Sequence, residues 1–177
     1  MVALALDSEG LGRLLERRLR TEPPAYGDLI ARPRGDHDHQ EEPVEAPDER
    51  AAIPAAVLIP IVLHPSGPSV LLTLRAAAMR RHAAQIAFPG GRIDPPDGSP
   101  REAALREAEE EVGLRPASVE TVGYLDAYLT GTGYRVVPVV GLVAPPVALT
   151  VNPAEVDEAF ETPLSFLLDP RHHRREG

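Results

Sequence analysis

Leu11, Leu14, Leu15 and Leu19 recur at helical spacing near the start of the chain, with Arg13, Arg17, Arg18 and Arg20 mostly on other faces. The pattern predicts a short amphipathic helix that packs on a larger body. Residues 21–50 change character. Pro, Asp, Glu, Gly and His dominate there and apolar residues nearly vanish, as in a linker. Ala55–Leu63 is apolar and β-branched, which predicts a buried strand, with Pro60 causing a bulge or an early end. His64–Pro68 reads as a turn and Val70–Arg75 as a second strand, giving a hairpin. Further on, Thr121–Tyr128 and Tyr134–Val143 read as strands around a turn at Thr130–Gly133, and Pro145-Pro146 ends the second. Asn152–Phe160 reads as a capped loop or helical turn, and Pro163–Leu168 as a short helix. Strands on both sides of one central helix predict an α/β fold, a mixed sheet flanked by helices. The expected organisation is an N-terminal helical segment at 1–20, a Pro/acid-rich linker at 21–50, the main domain at 51–170 and a polar tail at 171–177.

The central stretch is Phe88–Leu114. A Pro-Gly-Gly turn and a Pro/Asp/Gly loop lead to Ser99, a favoured N-cap, with Pro100 at the first helical position and Glu102 in capping-box register. Gly113 suits a left-handed terminal residue and Pro116 blocks continuation, so the helix is predicted over about residues 100–112. Ala104, Leu105, Ala108 and Val112 share the face that packs on a sheet. Glu107, Glu110 and Glu111 stand at i, i+3 and i+4 and project together elsewhere. Solvated, such carboxylates repel one another by only about 0.3 kcal/mol per pair. Partly buried, at an effective dielectric of about 20 and a spacing of ~6 Å, each pair costs roughly 3 kcal/mol and the cluster needs a cation. Carboxylate oxygens suit Mg²⁺, Mn²⁺ or Ca²⁺. Periodicity leaves both readings open. The adjacent glycines favour the second, because they bring bare backbone to the same place.

Composition narrows the choice. The 177 residues carry a formal net charge of −9, which argues against a nucleic-acid surface or a polybasic membrane anchor. An acidic protein that handles an anionic substrate relies on local arginines, backbone N–H groups or metal. There is no cysteine, hence no disulfide framework, zinc–thiolate site or cysteine nucleophile. No segment is apolar enough to span a bilayer, and the N-terminus lacks a signal-peptide pattern, so a cytoplasmic location is expected.

The central stretch resembles the Nudix box, the signature of hydrolases that cleave a nucleoside diphosphate linked to another group. The matching residues are Gly91, Asp97, Arg106, Glu107, Ala108, Glu110, Glu111, Gly113 and Leu114. Asp97 stands where Glu is usual, and one extra residue separates it from Arg106. Both features resemble a subgroup of coenzyme A pyrophosphatases. Leu71, Leu72, Thr73, Arg75, Ala76, Arg80, Phe88, Pro89, Gly90 and Gly91 resemble that subgroup's companion motif, with Ala84 in place of a glycine. If position 84 needs a positive φ, alanine there costs about 1 kcal/mol or more. Thr130, Gly133, Tyr134, Val136 and Pro138, and then Asn152, Pro153, Glu155 and Val156, resemble later family segments.

The resemblance covers about residues 52–170 and implies an α/β/α sandwich with a mixed sheet. It implies Mg²⁺ or Mn²⁺ held by Glu107, Glu110 and Glu111 with the Gly91 carbonyl. Glu107, Arg106 and Glu155 are the catalytic candidates: the resemblance implies one more carboxylate at the metal site, from Glu155 or, second, Glu158; either Glu107 or Glu155 takes a proton from water, and Arg106 orients a neighbouring glutamate. Arg75, Arg80, Phe88 and Gly90 are the substrate-binding candidates, since guanidinium groups recognise phosphate through paired hydrogen bonds. The implied reaction is metal-dependent hydrolysis of coenzyme A or acyl-CoA to 3′,5′-ADP and (acyl-)4′-phosphopantetheine. Alternatives are hydrolysis of another nucleoside diphosphate derivative (ADP-ribose, a dinucleotide or a nucleoside triphosphate) and a weakly active nucleotide-binding protein. The implied partner is a small molecule, with no nucleic acid and no membrane; a homodimer stays open. Similar proteins continue past the Pro163-Leu164 pair through a last strand and helix. One face of the sheet is therefore expected to be under-covered, unless residues 8–20 cover it.

Overall fold

The computed structural model describes residues 8–25, 34–35, 50–77 and 84–173. Most of the linker at 21–50, the loop bearing Arg80, Arg81 and His82, and the end of the polar tail lie outside the described residues. The chain forms α1 (Ser8–Arg18), β1 (Arg34–Gly35), β2 (Ile53–His64), β3 (Gly67–Arg75), β4 (Ile86–Ala87) and β5 (Gly90–Arg92). It continues through α2 (Pro100–Val112), β6 (Val119–Tyr124), β7 (Tyr128–Leu129), β8 (Tyr134–Val143), β9 (Val156–Pro163) and α3 (Leu164–Leu167).

The two longest apolar strands lie side by side at the centre. β2 and β8 pair in parallel, from Ile53 opposite Tyr134 to Val62 opposite Val143. The sheet runs β1-β7-β8-β2-β3-β4, with β5 also on β2, β6 on β8 and β9 on β3. β3, β5, β6 and β9 join antiparallel, so the sheet is mixed, as predicted.

Pro60 neither bulges nor ends β2. The Leu58 N–H donates to the Pro89 carbonyl at 2.8 Å, so even-numbered donors of β2 point toward β5 and β3. β5 pairs as far as Val57 and β3 begins at Ile61. Pro60 falls in the gap between those neighbours, where a missing N–H leaves no ladder bond unmade.

Alternation along the strands builds two cores. Ala56, Leu58, Val62, Val137 and Val139 face α2, which contributes Ala103, Ala104, Leu105, Ala108 and Val112. Ile61, Val70, Leu72 and Val140 face the other way, where Leu11 is buried with Leu15 and Leu19 packed alongside. Leu164 and Leu167 of α3 join the same side. Thus α1 covers much of the face expected to be bare. Burial of Leu11 contributes about 2 kcal/mol. Past α1, the Arg20 and Tyr124 backbones exchange hydrogen bonds of 3.0 and 2.9 Å, and buried Arg135 donates to the Pro24 carbonyl at 2.8 Å.

The expectation for Asn152–Phe160 needs correction. Residues 153–155 form a turn, and 156–160 belong to edge strand β9. Its buried pattern is sparse because β9 pairs on one side only, with β3, and exposes Asp157, Glu158 and Glu161. Among the described residues, no helix is long and apolar enough to cross a membrane.

Candidate active site

The acidic helix is placed by local signals. Ser99 Oγ accepts from the Glu102 N–H at 3.2 Å, and Gly113 closes the helix at φ 70°. The capping box is displaced by one residue, since the Glu102 carboxylate takes the Gly98 N–H at 2.8 Å. With the alanine and leucine face against the sheet, the glutamates fan out across its margin. Side-chain exposure is 1% for Glu111, 14% for Glu107 and 54% for Glu110, so they are not one solvated row.

Each carboxylate has donors. Glu111 accepts from Arg75 Nη1 and from the Gly90 N–H, both at 3.2 Å. Arg106 Nη1 donates to Glu107 at 2.8 Å and to Glu110 at 3.0 Å. The same guanidinium grips Asp97 with Nε and Nη2, at 3.0 and 2.9 Å, and donates to the Arg92 carbonyl at 3.1 Å. The hydrogen bond from Arg106 holds Asp97 below the usual carboxylate range. The shorter Asp97 side chain is therefore no lesion in the box.

Burial pushes the Glu111 carboxyl up to about 7, opposed by Arg75 and the Gly90 N–H, while the charges of Glu107 and Glu155 add to the rise. Burial also raises Glu107, opposed by Arg106 and reinforced by Glu110 and Glu155. Glu155, from the turn before β9, is near enough for its charge to act on both helix carboxylates. Its Oε1 accepts from Asn152 Nδ2 at 3.2 Å.

The glycines fit this arrangement tightly. A Cβ on Gly91 would stand 2.5 Å from the Glu107 carboxyl carbon. One on Gly90 would stand 2.4 Å from the Ala56 carbonyl oxygen and 2.6 Å from Val57 Cα. Only a bare backbone lets β5 lie between β2 and the glutamates.

The donor set is all oxygen, which suits a hard divalent cation. Burial is the main cause of the rise of Glu107 and Glu111, and neighbouring carboxylates add to it, a contribution that such a cation would relieve. Among the described residues, no three His, Asp or Glu side chains are gathered at metal-ligand distance. Arg106 Nη1 is shared by Glu107 and Glu110, while Arg75 engages Glu111 separately.

Arg106, Glu107, Glu110, Glu111, Gly90, Gly91, Glu155 and Arg75 thus meet in one region. Arg75 is turned onto Glu111. Phe88 packs into the α1-side core, Glu158 is exposed on β9 opposite Leu74, and Arg80 lies outside the described residues. Tyr134 opens β8 after a turn in which its N–H donates to Thr130 Oγ1 at 3.0 Å. A cleft of about 390 Å³ lies on another flank of α2, lined by Arg101, Leu105, Arg106 and Ala117; of the clustered residues it contains Arg106 alone. The residue that sequence reading missed is Asn152. Its place in an Asn-Pro-x-Glu segment signals a turn, but not that its amide reaches the glutamate three residues on.

Comparison with known proteins identifies the family and the fold. A protein of Escherichia coli K12 described as the uncharacterized Nudix hydrolase NudL is 50% identical over 114 residues, or 64% of this chain. The chain spans 59% of the length of that relative. The solved Nudix hydrolase RenU of M. smegmatis superposes with a TM-score of 0.56 at 23% identity, covering 66% of this chain and 73% of that one. The NUDIX domain of Shewanella oneidensis NrtR, solved with ADP ribose, gives 0.52 at 20% identity, covering 75% and 84%. These two share the fold. Residues 52–176 match the NUDIX domain, more than half of the sequence, and the chain belongs to that family.

Proposed function

We propose that this NUDIX protein hydrolyses the pyrophosphate bond of coenzyme A or an acyl-CoA, yielding 3′,5′-ADP and (acyl-)4′-phosphopantetheine. The observation that carries the hydrolytic reading is the placement of Glu107 against Gly91 and of Glu111 on the Gly90 N–H, with Glu155 near enough for its charge to act on both. The coenzyme A assignment is supported by the companion motif from Leu71 to Gly91. Glu107, Glu110 and Glu111 with the Gly91 carbonyl would hold Mg²⁺ or Mn²⁺, which would supply Lewis acidity toward the phosphate oxygens and the attacking water.

The chain's own residues do the rest. Water's oxygen forms the new bond to phosphorus as the bridging P–O bond breaks, and the bridging oxygen leaves with the departing phosphate. Glu155 or Glu107 takes the proton from water. Arg106 orients Glu107 and Glu110 while anchored on Asp97. Arg75 neutralises buried Glu111.

That engagement of Arg75 favours a second reading, hydrolysis of another nucleoside diphosphate derivative, because it leaves the companion motif one fewer cation for the phosphates of coenzyme A. A substrate panel with Mg²⁺ or Mn²⁺ and product identification tests both. Turnover of coenzyme A to 3′,5′-ADP, abolished in Glu110→Gln and Glu111→Gln, is expected. Turnover of ADP-ribose, a dinucleotide or a nucleoside triphosphate alone would replace the substrate. Full metal-dependent turnover in both variants would remove the site.

A further inference from the structure

We propose that Asn152 is the positioning residue for Glu155, an inference that rests on the hydrolytic reading above. Asn152 is bound through every polar group it has. Its N–H donates to the Glu111 carbonyl at 2.9 Å, and its own carbonyl accepts from the N–H groups of Glu155 and Val156 at 3.1 and 2.9 Å. Its Oδ1 accepts from the Ala154 N–H at 3.1 Å, closing an Asx turn. Its Nδ2 donates to Glu155 Oε1 at 3.2 Å. The turn is therefore tied to the α2 residue whose side chain enters the acidic cluster. From the other side, the Ala76 N–H donates to the Glu155 carbonyl at 2.8 Å, one residue beyond the arginine that reaches Glu111.

The Glu155 main chain is thus fixed from two directions, and Asn152 Nδ2 holds its carboxylate. A holder is needed. The charges of Glu107 and Glu111 act on Glu155, and repulsion alone would swing its half-buried side chain from the turn into solvent. The helix glutamates are held by arginines. A third guanidinium would cancel the negative charge on which cation binding depends. A neutral amide fixes one oxygen of Glu155, keeps its charge and leaves the other oxygen to the site.

Asn152→Ser keeps an oxygen for the Ala154 N–H but is too short to reach Glu155. Asn152→Asp keeps the shape and that oxygen but replaces the Nδ2 donor with a carboxylate oxygen that repels Glu155. In both, kcat for the substrate found in the panel is expected to fall about ten- to hundredfold with KM nearly unchanged and the melting temperature preserved. Mn²⁺ alone, titrated calorimetrically, is expected to bind Asn152→Ser about tenfold more weakly than the unaltered protein. In a Glu155→Ala background neither substitution should lower kcat further. Unchanged kcat and Mn²⁺ affinity, an equal loss without Glu155, or a large drop in melting temperature in both variants would each overturn the assignment and leave Asn152 a residue of the turn. Full turnover in Glu107→Gln and Glu111→Gln would instead defeat the hydrolytic site itself. Loss there, with wild-type behaviour at position 152, defeats the positioning role alone.

Discussion

Gly91→Ala separates a requirement of the site from a requirement of the fold. Gly91 lies outside the left-handed φ region, so alanine can adopt its backbone without strain. The new Cβ would stand 2.5 Å from the Glu107 carboxyl carbon and 2.6 Å from both of its oxygens. Ordinary carbon contacts begin near 3.5 Å, so the carboxylate must retreat by about 1 Å. Arg106, 2.8 Å away, would be dragged with it or released. A displacement of that size at a reacting centre costs about a hundredfold in rate. Stability should barely change, because the obstacle is the end of a side chain and alanine restricts the unfolded chain by about 0.4–1 kcal/mol relative to glycine. Gly90→Ala makes the contrast: its Cβ meets backbone at 2.4 and 2.6 Å, and the β5–β2 pairing itself should fail. The assay is kcat/KM on the panel substrate at saturating Mg²⁺, with thermal melts and a Mn²⁺ titration. Gly91→Ala with kcat/KM close to the unaltered protein, or one that melts as early as Gly90→Ala, would refute the reasoning.

Other substitutions probe separate parts. Ala84 holds φ 57°, so Ala84→Gly should relieve about 1–2 kcal/mol of strain, less about 0.4–1 for the freer unfolded chain. A small rise in melting temperature is expected, and a fall would contradict it. Arg106→Lys cannot replace a fork that serves Asp97, Glu107, Glu110 and the Arg92 carbonyl, so a loss of about 1–3 kcal/mol by urea denaturation and more than tenfold in kcat is expected. For pH, Glu111 in the folded protein titrates near 7 against an ordinary 4.5. Its ionisation is thus harder folded than unfolded. The penalty is absent below about pH 4.5, grows up to about pH 7 and is then fully present, at about 3 kcal/mol. In EDTA, Glu111→Gln should therefore be more stable than the unaltered protein at pH 8 and equal to it near pH 4.5. A difference independent of pH would count against the burial argument. Asp97 acts in the other direction, contributing stability that is lost only as pH falls through its depressed value.

The parts legible in the sequence are those set by neighbours a few residues away. Ser99, Pro100, Gly113 and the alanine face define α2 without help from the rest of the chain, and the structure gives it those ends. The strain at Ala84 was readable from a missing glycine. What escaped depends on distant partners. Pro60 passes through β2 because two other strands change places beside it. Val156–Pro163 becomes a strand because β3 offers it an edge, although its acidic residues suggest a loop. Arg75 looks like a phosphate ligand until Glu111, 36 residues later, is found buried against it. Asn152 gains meaning from Glu111 on one side and Glu155 on the other.

The family boundary and the physical boundary of this domain differ. Residues 52–176 match the family, yet Leu11 lies buried against Ile61, Val70, Leu72 and Val140, and Arg20 continues the hydrogen bonding of β6. A fragment beginning at residue 52 would carry every acidic residue of the site while presenting that apolar patch to water. Expression trimmed to the recognised domain would select for self-association, and assays on it would measure the shortage of soluble protein before they measured catalysis.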